Sequence, residues 1–209
     1  MSPTLLSLTA FVAAASVFTV TPGMDTALVL RTSGASGARA GLAAAGGICL
    51  GLLVWGVGAA FGLTALLAAS ALGFAIVTWA GAAYLVWLGL KLLARPRVLV
   101  AEGPHRAAPG AREGFRNGLL TNLLNPKVGV FYVTSLPQFI PQGTGVAGFS
   151  LLLALVHVAL TLAWFSLLVG MTVPLGRFLS QPGVVRWLDR LTGCVFLGFG
   201  LKLALAQRG

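Results

Sequence analysis

Charged residues are scarce in this 209-residue sequence, and acidic residues are the scarcest. Only 9% of the residues are charged, and Asp and Glu together number four, against 14 Lys and Arg. A soluble domain carries about 25% charged residues, so the chain lacks the surface that keeps a protein dissolved. Carboxylates for acid–base catalysis are equally short, and no glycine-rich loop with a lysine could hold a phosphate. The sequence therefore predicts that the protein is not an enzyme.

Cysteine is also rare, and the two cysteines are far apart in the chain. Cys49 and Cys194 each stand alone inside an apolar segment, where a small packing residue is expected. Without a Cys-x-x-Cys pair, neither a metal clip nor a transmembrane electron carrier is encoded. We expect no metal and no other cofactor.

Apolar residues dominate instead, at 57% of the chain with a mean hydropathy of +0.94. A helix needs about 20 apolar residues to cross the hydrocarbon core of a bilayer, and six stretches are long enough. The sequence predicts an all-α integral membrane protein with six transmembrane helices and the lipid bilayer as its solvent. The predicted spans are 3–30, 42–67, 72–93, 119–140, 147–172 and 184–206.

The net charge of +10 follows the pattern of membrane topology and does not indicate nucleic-acid binding. Lys and Arg collect in the connections after spans one, three and five, whereas the second and fourth connections have none. The positive-inside rule places these basic connections in the cytoplasm and both termini outside. The proline-containing connection 94–113 is predicted to be a cytoplasmic linker within a single transmembrane domain, 1–209. It separates two three-helix halves, 1–93 and 114–209, which an odd helix number would arrange as inverted repeats.

Asp25 is one of two charged residues that lie deep inside a predicted span. It follows Pro22 and Gly23, which together can break a helix and leave N–H groups free after the break. A helix N-terminus attracts a carboxylate, and Asp25 can attract an ammonium group or carry a proton. The segment thus offers a partner to each charge of an amino acid. Alternatively, Asp25 only caps the second half-helix.

Lys127 is the other deep charge, and it follows Asn122, Asn125 and Pro126 in the fourth span. We expect Asn122 and Pro126 to share one helix face, with the asparagines either satisfying carbonyls freed at the proline or contributing to a binding site. Lys127 should seek a counter-ion in the protein interior. The hypothesis is that it pairs with Asp25 in one state of a transport cycle.

His157, in span five, has two readings that the sequence leaves open. It could relay protons or contact substrate, or it could be a hydrogen-bonded histidine between helices. Glycines four residues apart on span two, at 47 and 51 and at 58 and 62, predict close helix packing within a subunit or in a homodimer. The remaining acids, Glu102, Glu113 and Asp189, are expected near loops or interfaces.

Two long motifs carry a family resemblance. The first combines Thr-Pro-Gly-Met-Asp at 21–25 with the glycine-rich stretches 37–42 and 46–51, and the second covers 115–127 and 136–139. Together they resemble the signatures of the LysE/RhtB family of amino-acid exporters. The family often has a second proline where this chain has Met24. The resemblance implies efflux of amino acids or close derivatives across a bacterial inner membrane, in exchange for protons.

These observations predict alternating access around a site between spans one and four. Asp25 would carry protons or the substrate ammonium, Pro22 and Gly23 would expose backbone groups, and residues 122–127 would order the opposite half. One rival reading is export of a divalent metal cation, which a single deep acid serves poorly. Another is a membrane scaffold that transports nothing, in which Asp25 and Lys127 form a static pair.

Overall fold

The computed structural model describes residues 2–62, 71–94, 110–171 and 181–206, and every regular element in these ranges is helical. Three helices are long and apolar enough to cross a membrane, namely Pro3–Val20, Ala38–Gly62 and Val146–Gly170. The elements are α1 (Pro3–Val20), α2 (Met24–Ser36), α3 (Ala38–Val57, then a π-helical turn Gly58–Gly62), α4 (Ala71–Ala94), α5 (Ala111–Leu123), α6 (Pro126–Val130, then π-helix Phe131–Ser135 and 3-10 helix Leu136–Phe139), α7 (Val146–Gly170) and α8 (Pro182–Ala206).

Three of these helices, α4, α7 and α8, follow predicted spans to within two residues at each end. The end of span two and most of the linker 94–113 lie outside the described residues. The last residues of the predicted linker belong to α5, which begins at Ala111, and the linker itself stays a prediction. The first turns of α5 are amphipathic: Arg112 and Arg116 are exposed, whereas Gly114 is buried. A helix can therefore start in this charged segment, before the apolar run.

The closest helix packing joins α3 to α5, which run parallel. Gly114 and Gly118 of α5 lie against the backbone carbonyls of Ala40 and Ala44, and Gly47 of α3 lies against the backbone at Phe115. A side chain at any of these glycines would collide with a neighbouring backbone. The close packing predicted at 47 and 51 is thus confirmed, and it lies within the chain. At Gly58 and Gly62, in contrast, no other described atom lies within reach of an added Cβ.

The direction of α1 relative to its neighbours follows from ring contacts. The Phe18 ring lies 4.5 Å from that of Phe131, and the Phe11 ring lies 5.3 Å from that of Phe139. The later residue of α1 contacts the earlier residue of the segment 126–139, so α1 and this segment are antiparallel. Helices α3 and α7 are antiparallel by the same criterion.

The largest buried cluster is aromatic, and it joins α1, the 126–139 segment, α7 and α8. Large apolar side chains also cover the outside of the molecule, including Leu124 at 77% exposure and Leu72 at 72%. Soluble proteins rarely expose apolar surface on this scale. Lipid tails would cover such a surface in a bilayer, as the predicted membrane location requires.

Candidate functional site

The first helix break lies between α1 and α2. Helix α1 ends at Val20, α2 starts at Met24, and Gly23 at the N-cap provides no side-chain cap. The Thr21 hydroxyl donates to the Val17 carbonyl at 2.6 Å, which satisfies one acceptor at the end of α1. The N–H groups in the first turn of α2 have no partner within the helix, and Asp25 belongs to this turn. The break predicted at Pro22 and Gly23 is therefore present.

The second break interrupts the fourth predicted span. Helix α5 ends at Leu123, and α6 begins at Pro126 with Asn125 as its N-cap. The Asn125 side-chain oxygen accepts from the Lys127 N–H at 3.1 Å. The predicted common face of Asn122 and Pro126 is wrong, because the helix does not continue through 124 and 125.

The two breaks meet at the Asp25 carboxylate. The Asn122 amide nitrogen donates to one carboxylate oxygen at 2.9 Å, and the Asn125 amide nitrogen lies 3.5 Å from the other. Both asparagines are buried, with Asn122 fully so. Of the two alternatives for these side chains, satisfying carbonyls freed at the proline has no support in the described residues, because both amide nitrogens are directed at Asp25. The Asn122 carbonyl instead accepts from the Trp55 indole N–H at 3.5 Å.

Lys127 binds the end of α1. Its ammonium group donates to the Phe18 carbonyl at 3.1 Å and lies 4.2 Å from the centre of the Phe18 ring. Phe18 is in the last turn of α1, where the helix dipole favours a cation. Asp25 and Lys127 line the same cavity, and their direct pairing stays a prediction.

The cavity between these elements has a volume of about 30 Å³. Roughly 10–15 Å³ of such space holds one water molecule, so an amino acid enters only if the cavity widens. Five of the eight predicted site residues line it. Of the other three, Asn122 donates to Asp25, and Pro22 and Pro126 belong to the two breaks. The lining residues are Phe18, Thr19, Thr21, Gly23, Asp25, Thr26, Ile48, Leu52, Asn125, Lys127, His157, Thr161 and Phe165.

His157 faces this cavity from α7 and is 1% exposed. Its ring lies 5.6 Å from that of Phe18, 5.5 Å from that of Phe131 and 5.7 Å from that of Tyr132. Among the described residues, its Nδ1 atom has no hydrogen-bond partner. The reading as a hydrogen-bonded histidine between helices therefore has no support at Nδ1.

Several buried polar residues around the break were missed from the sequence. Thr19 and Thr26 line the cavity, and the hydroxyls of Thr21 and Thr192 are hydrogen-bonded across α1 and α8. Hydroxyl residues on both sides of a proline–glycine pair were the available signal.

Two smaller predictions need correction. Asp189, expected near a loop or interface, is fully buried because α8 starts at Pro182 and carries it two turns into the bundle. Cys194 is exposed and does not pack in the core, whereas Cys49 is buried as predicted.

Comparison with known proteins covers almost the whole chain. The model of the LysE type translocator family matches residues 16–207. An uncharacterized membrane protein, YrhP, of Bacillus subtilis is 30% identical over 96% of this chain and 99% of its own length. The threonine efflux protein of Escherichia coli K12 is 27% identical, over 90% of this chain and 92% of its own.

A further relative is the homoserine/homoserine lactone efflux protein of Salmonella typhimurium, which is 29% identical over 95% of this chain and 96% of its own. No solved structure matches the chain. The family match, the length shared with these relatives and the apolar helices agree with the resemblance carried by the two motifs. The chain therefore belongs to the LysE type translocator family, and two of the relatives named here are efflux proteins, one for threonine and one for homoserine and its lactone.

Proposed function

We propose that this protein is a secondary transporter that exports an amino acid across the bacterial inner membrane in exchange for protons. The observation that carries the proposal is the Asp25 carboxylate, held by two asparagine amides beside an uncapped helix start in a cavity. Relatives named for threonine and homoserine efflux make an amino acid the substrate class to test first.

Asp25 and the start of α2 together match the two charges of an amino acid. The ammonium and carboxylate groups of the substrate are attached to the same carbon, so their partners must lie within about one helical turn of each other. Asp25 is the second residue of α2, and the N–H groups of the same turn follow the uncapped Gly23. The carboxylate of the substrate binds these N–H groups, and its ammonium group binds Asp25.

Coupling to protons follows if Asp25 binds either a proton or the substrate ammonium at any one time. A bare carboxylate is costly inside a membrane, so Asp25 crosses between states only with one of these two partners. The Asn122 and Asn125 amides hold the carboxylate in a fixed orientation during the exchange. A membrane potential contributes about 2.3 kcal/mol to the driving force for each charge that crosses 100 mV.

Alternating access requires the cavity to open to each side in turn. The proposed frame has six spans in two inverted halves, 1–93 and 114–209, with each half contributing one broken helix. The two breaks belong to antiparallel segments and meet at Asp25, which supports this frame. In this frame both termini lie outside, and the end of α2 and the start of α5 lie on the cytoplasmic side, as the positive charges predict.

Flux into proteoliposomes tests the proposal. Purified protein is reconstituted, and uptake of labelled threonine and homoserine is measured with and without an imposed proton gradient. We expect gradient-dependent flux for the wild type and flux at the level of protein-free liposomes for Asp25→Asn. The matched control is Glu113→Gln, because Glu113 is an exposed acid in the first turn of α5.

The rival functions give different results in the same liposomes. Flux of manganese or zinc ions without amino-acid flux would favour a cation exporter, although no group of three metal-binding side chains occurs in the described part of the chain. Absence of both fluxes from folded protein would favour the scaffold. Amino-acid flux that survives Asp25→Asn would move the coupling site elsewhere, with His157 the next residue to test.

A further inference from the structure

Three residues that line the cavity each have a buried polar atom without a partner in the described part of the chain. These atoms are the hydroxyl oxygens of Thr19 and Thr161 and the Nδ1 atom of His157. Thr19 is 8% exposed, His157 1% and Thr161 3%. Thr19 comes from the last turn of α1, whereas His157 and Thr161 lie one turn apart on α7.

Such a group of atoms requires a polar occupant. A buried donor or acceptor without a hydrogen bond costs free energy, so native proteins pair such groups with protein, water or ligand. A cavity of about 30 Å³ holds on the order of two water molecules. A substrate that displaces these waters gains affinity only if it makes the same hydrogen bonds.

The rest of the lining limits what else the occupant can be. Phe18, Ile48, Leu52 and Phe165 supply apolar contacts in the same cavity. A cationic substrate side chain would lie near Lys127, and an anionic one would lie near Asp25, so like charges disfavour both. A small neutral side chain with one hydroxyl and some apolar surface fits the remaining lining.

We propose that Thr19, His157 and Thr161 form the side-chain subsite, which selects an amino acid with a hydroxylated side chain over an apolar one of the same shape. This inference rests on the proposed function, because Asp25 and the start of α2 must hold the backbone of the substrate. The hydroxyl of the substrate then bonds to the three unpartnered atoms.

The pairs that test selection differ only in the hydroxyl. Valine has nearly the shape of threonine, and norvaline has nearly that of homoserine. A site built to bond a hydroxyl rejects the analogue that lacks it, because its own buried polar groups stay unpaired. We expect the wild type to prefer threonine to valine, and homoserine to norvaline, by at least about tenfold in transport efficiency.

The variant Thr161→Val keeps the shape of the wall and removes its hydroxyl. We expect it to lower the preference for threonine over valine several-fold, through a higher KM for threonine and a lower KM for valine. The matched control is Thr134→Val, because Thr134 is 4% exposed but lies outside the cavity lining, with its hydroxyl bonded to the Val130 carbonyl at 2.7 Å. The control should lower neither preference.

Several results would overturn the subsite. Equal transport of threonine and valine by the wild type does so without any variant, so the proposal remains testable even if Thr161→Val fails to fold. A Thr161→Val variant that slows both substrates equally would show a structural role. In either case amino-acid flux that depends on Asp25 persists, and the proposed function stands. Absence of all amino-acid flux overturns the function and the subsite together.

Discussion

The two helix breaks differ in what completes the helix that follows them. After the first break, Gly23 leaves the start of α2 without a side-chain cap, whereas after the second, Asn125 caps α6 with its own side chain. The start of α6 is therefore capped by the protein itself, and the side-chain amide nitrogens of Asn122 and Asn125 are directed at Asp25. After the first break, the N–H groups of the first turn have no partner within their own helix and lie beside a carboxylate. In the proposed function, the first break binds the substrate and the second holds Asp25 in place.

Among the substitutions that test this difference, the largest effect is expected from removing the Asn122 amide that holds Asp25. Asn122→Leu keeps the approximate size of the side chain and deletes the 2.9 Å hydrogen bond to Asp25. A hydrogen bond to a charged group contributes about 1.5–3 kcal/mol, which corresponds to a roughly 10- to 150-fold loss in transport efficiency. Initial rates in proteoliposomes measure it. Asn117→Leu, in the middle of α5, is the control, and equal losses in both variants would mean general damage to the helix.

A second substitution gives the first break the cap of the second. In Gly23→Asn, the new side chain can accept from the first-turn N–H groups of α2, as Asn125 does in α6. Gly23 has φ −155 and ψ −164, an extended conformation that asparagine also adopts. We expect KM for the amino acid to rise about tenfold with the folded protein intact. An unchanged KM would show that the substrate carboxylate binds elsewhere.

The cap of the second break can be separated from its amide donor. Asn125→Ala should lower the free energy of unfolding by about 1 kcal/mol through loss of the cap. Asn125→Ser retains a capping oxygen and should recover most of that loss, while transport stays reduced because serine cannot reach Asp25. Thermal unfolding in detergent and flux in liposomes report the two effects. Full recovery of transport in the serine variant would contradict the role given to the amide.

The smallest effect is expected at Lys127. Lys127→Met keeps the chain length and removes the ammonium group that donates to the Phe18 carbonyl. A cation at the end of a helix contributes about 0.3–1 kcal/mol, so we expect a melting temperature lower by a few degrees. Lys127→Arg should retain most of the stability. A loss of transport as large as that of Asn122→Leu would support direct pairing of Lys127 with Asp25.

The sequence supported the membrane class, three of the spans at close to their observed ends and both breaks, because these depend on local signals such as apolar length and proline. It could not reveal that Asn122 reaches Asp25, since 97 residues separate them and only the packing of α5 beside α2 and α3 brings them together. The buried Asp189 was missed for a related reason. Its distance from the helix start was readable, but the side of α8 that faces the bundle was not.

The common face of Asn122 and Pro126 was wrongly predicted because a regular helix was assumed. Positions four residues apart share a face only in a continuous helix, and the chain leaves helical geometry at Leu124 and Asn125. Thr19 was overlooked because a threonine inside an apolar run commonly bonds to its own backbone, as Thr9 and Ser33 do here.

The glycine contacts between α3 and α5 also restrict how this molecule can move. Backbone lies on backbone at Gly47, Gly114 and Gly118, so there are no long side chains at this seam to slide past one another. If the cavity opens as proposed, we expect residues 38–57 and 111–123 to move together, with Asn122 fixed between them. We expect α1 to be the element that moves, because it contacts α7 and α8 through aromatic rings and not through closely packed backbone. In this picture α3 and α5 stay fixed while α1 moves relative to them, and Asp25 lies just after the break between α1 and α2.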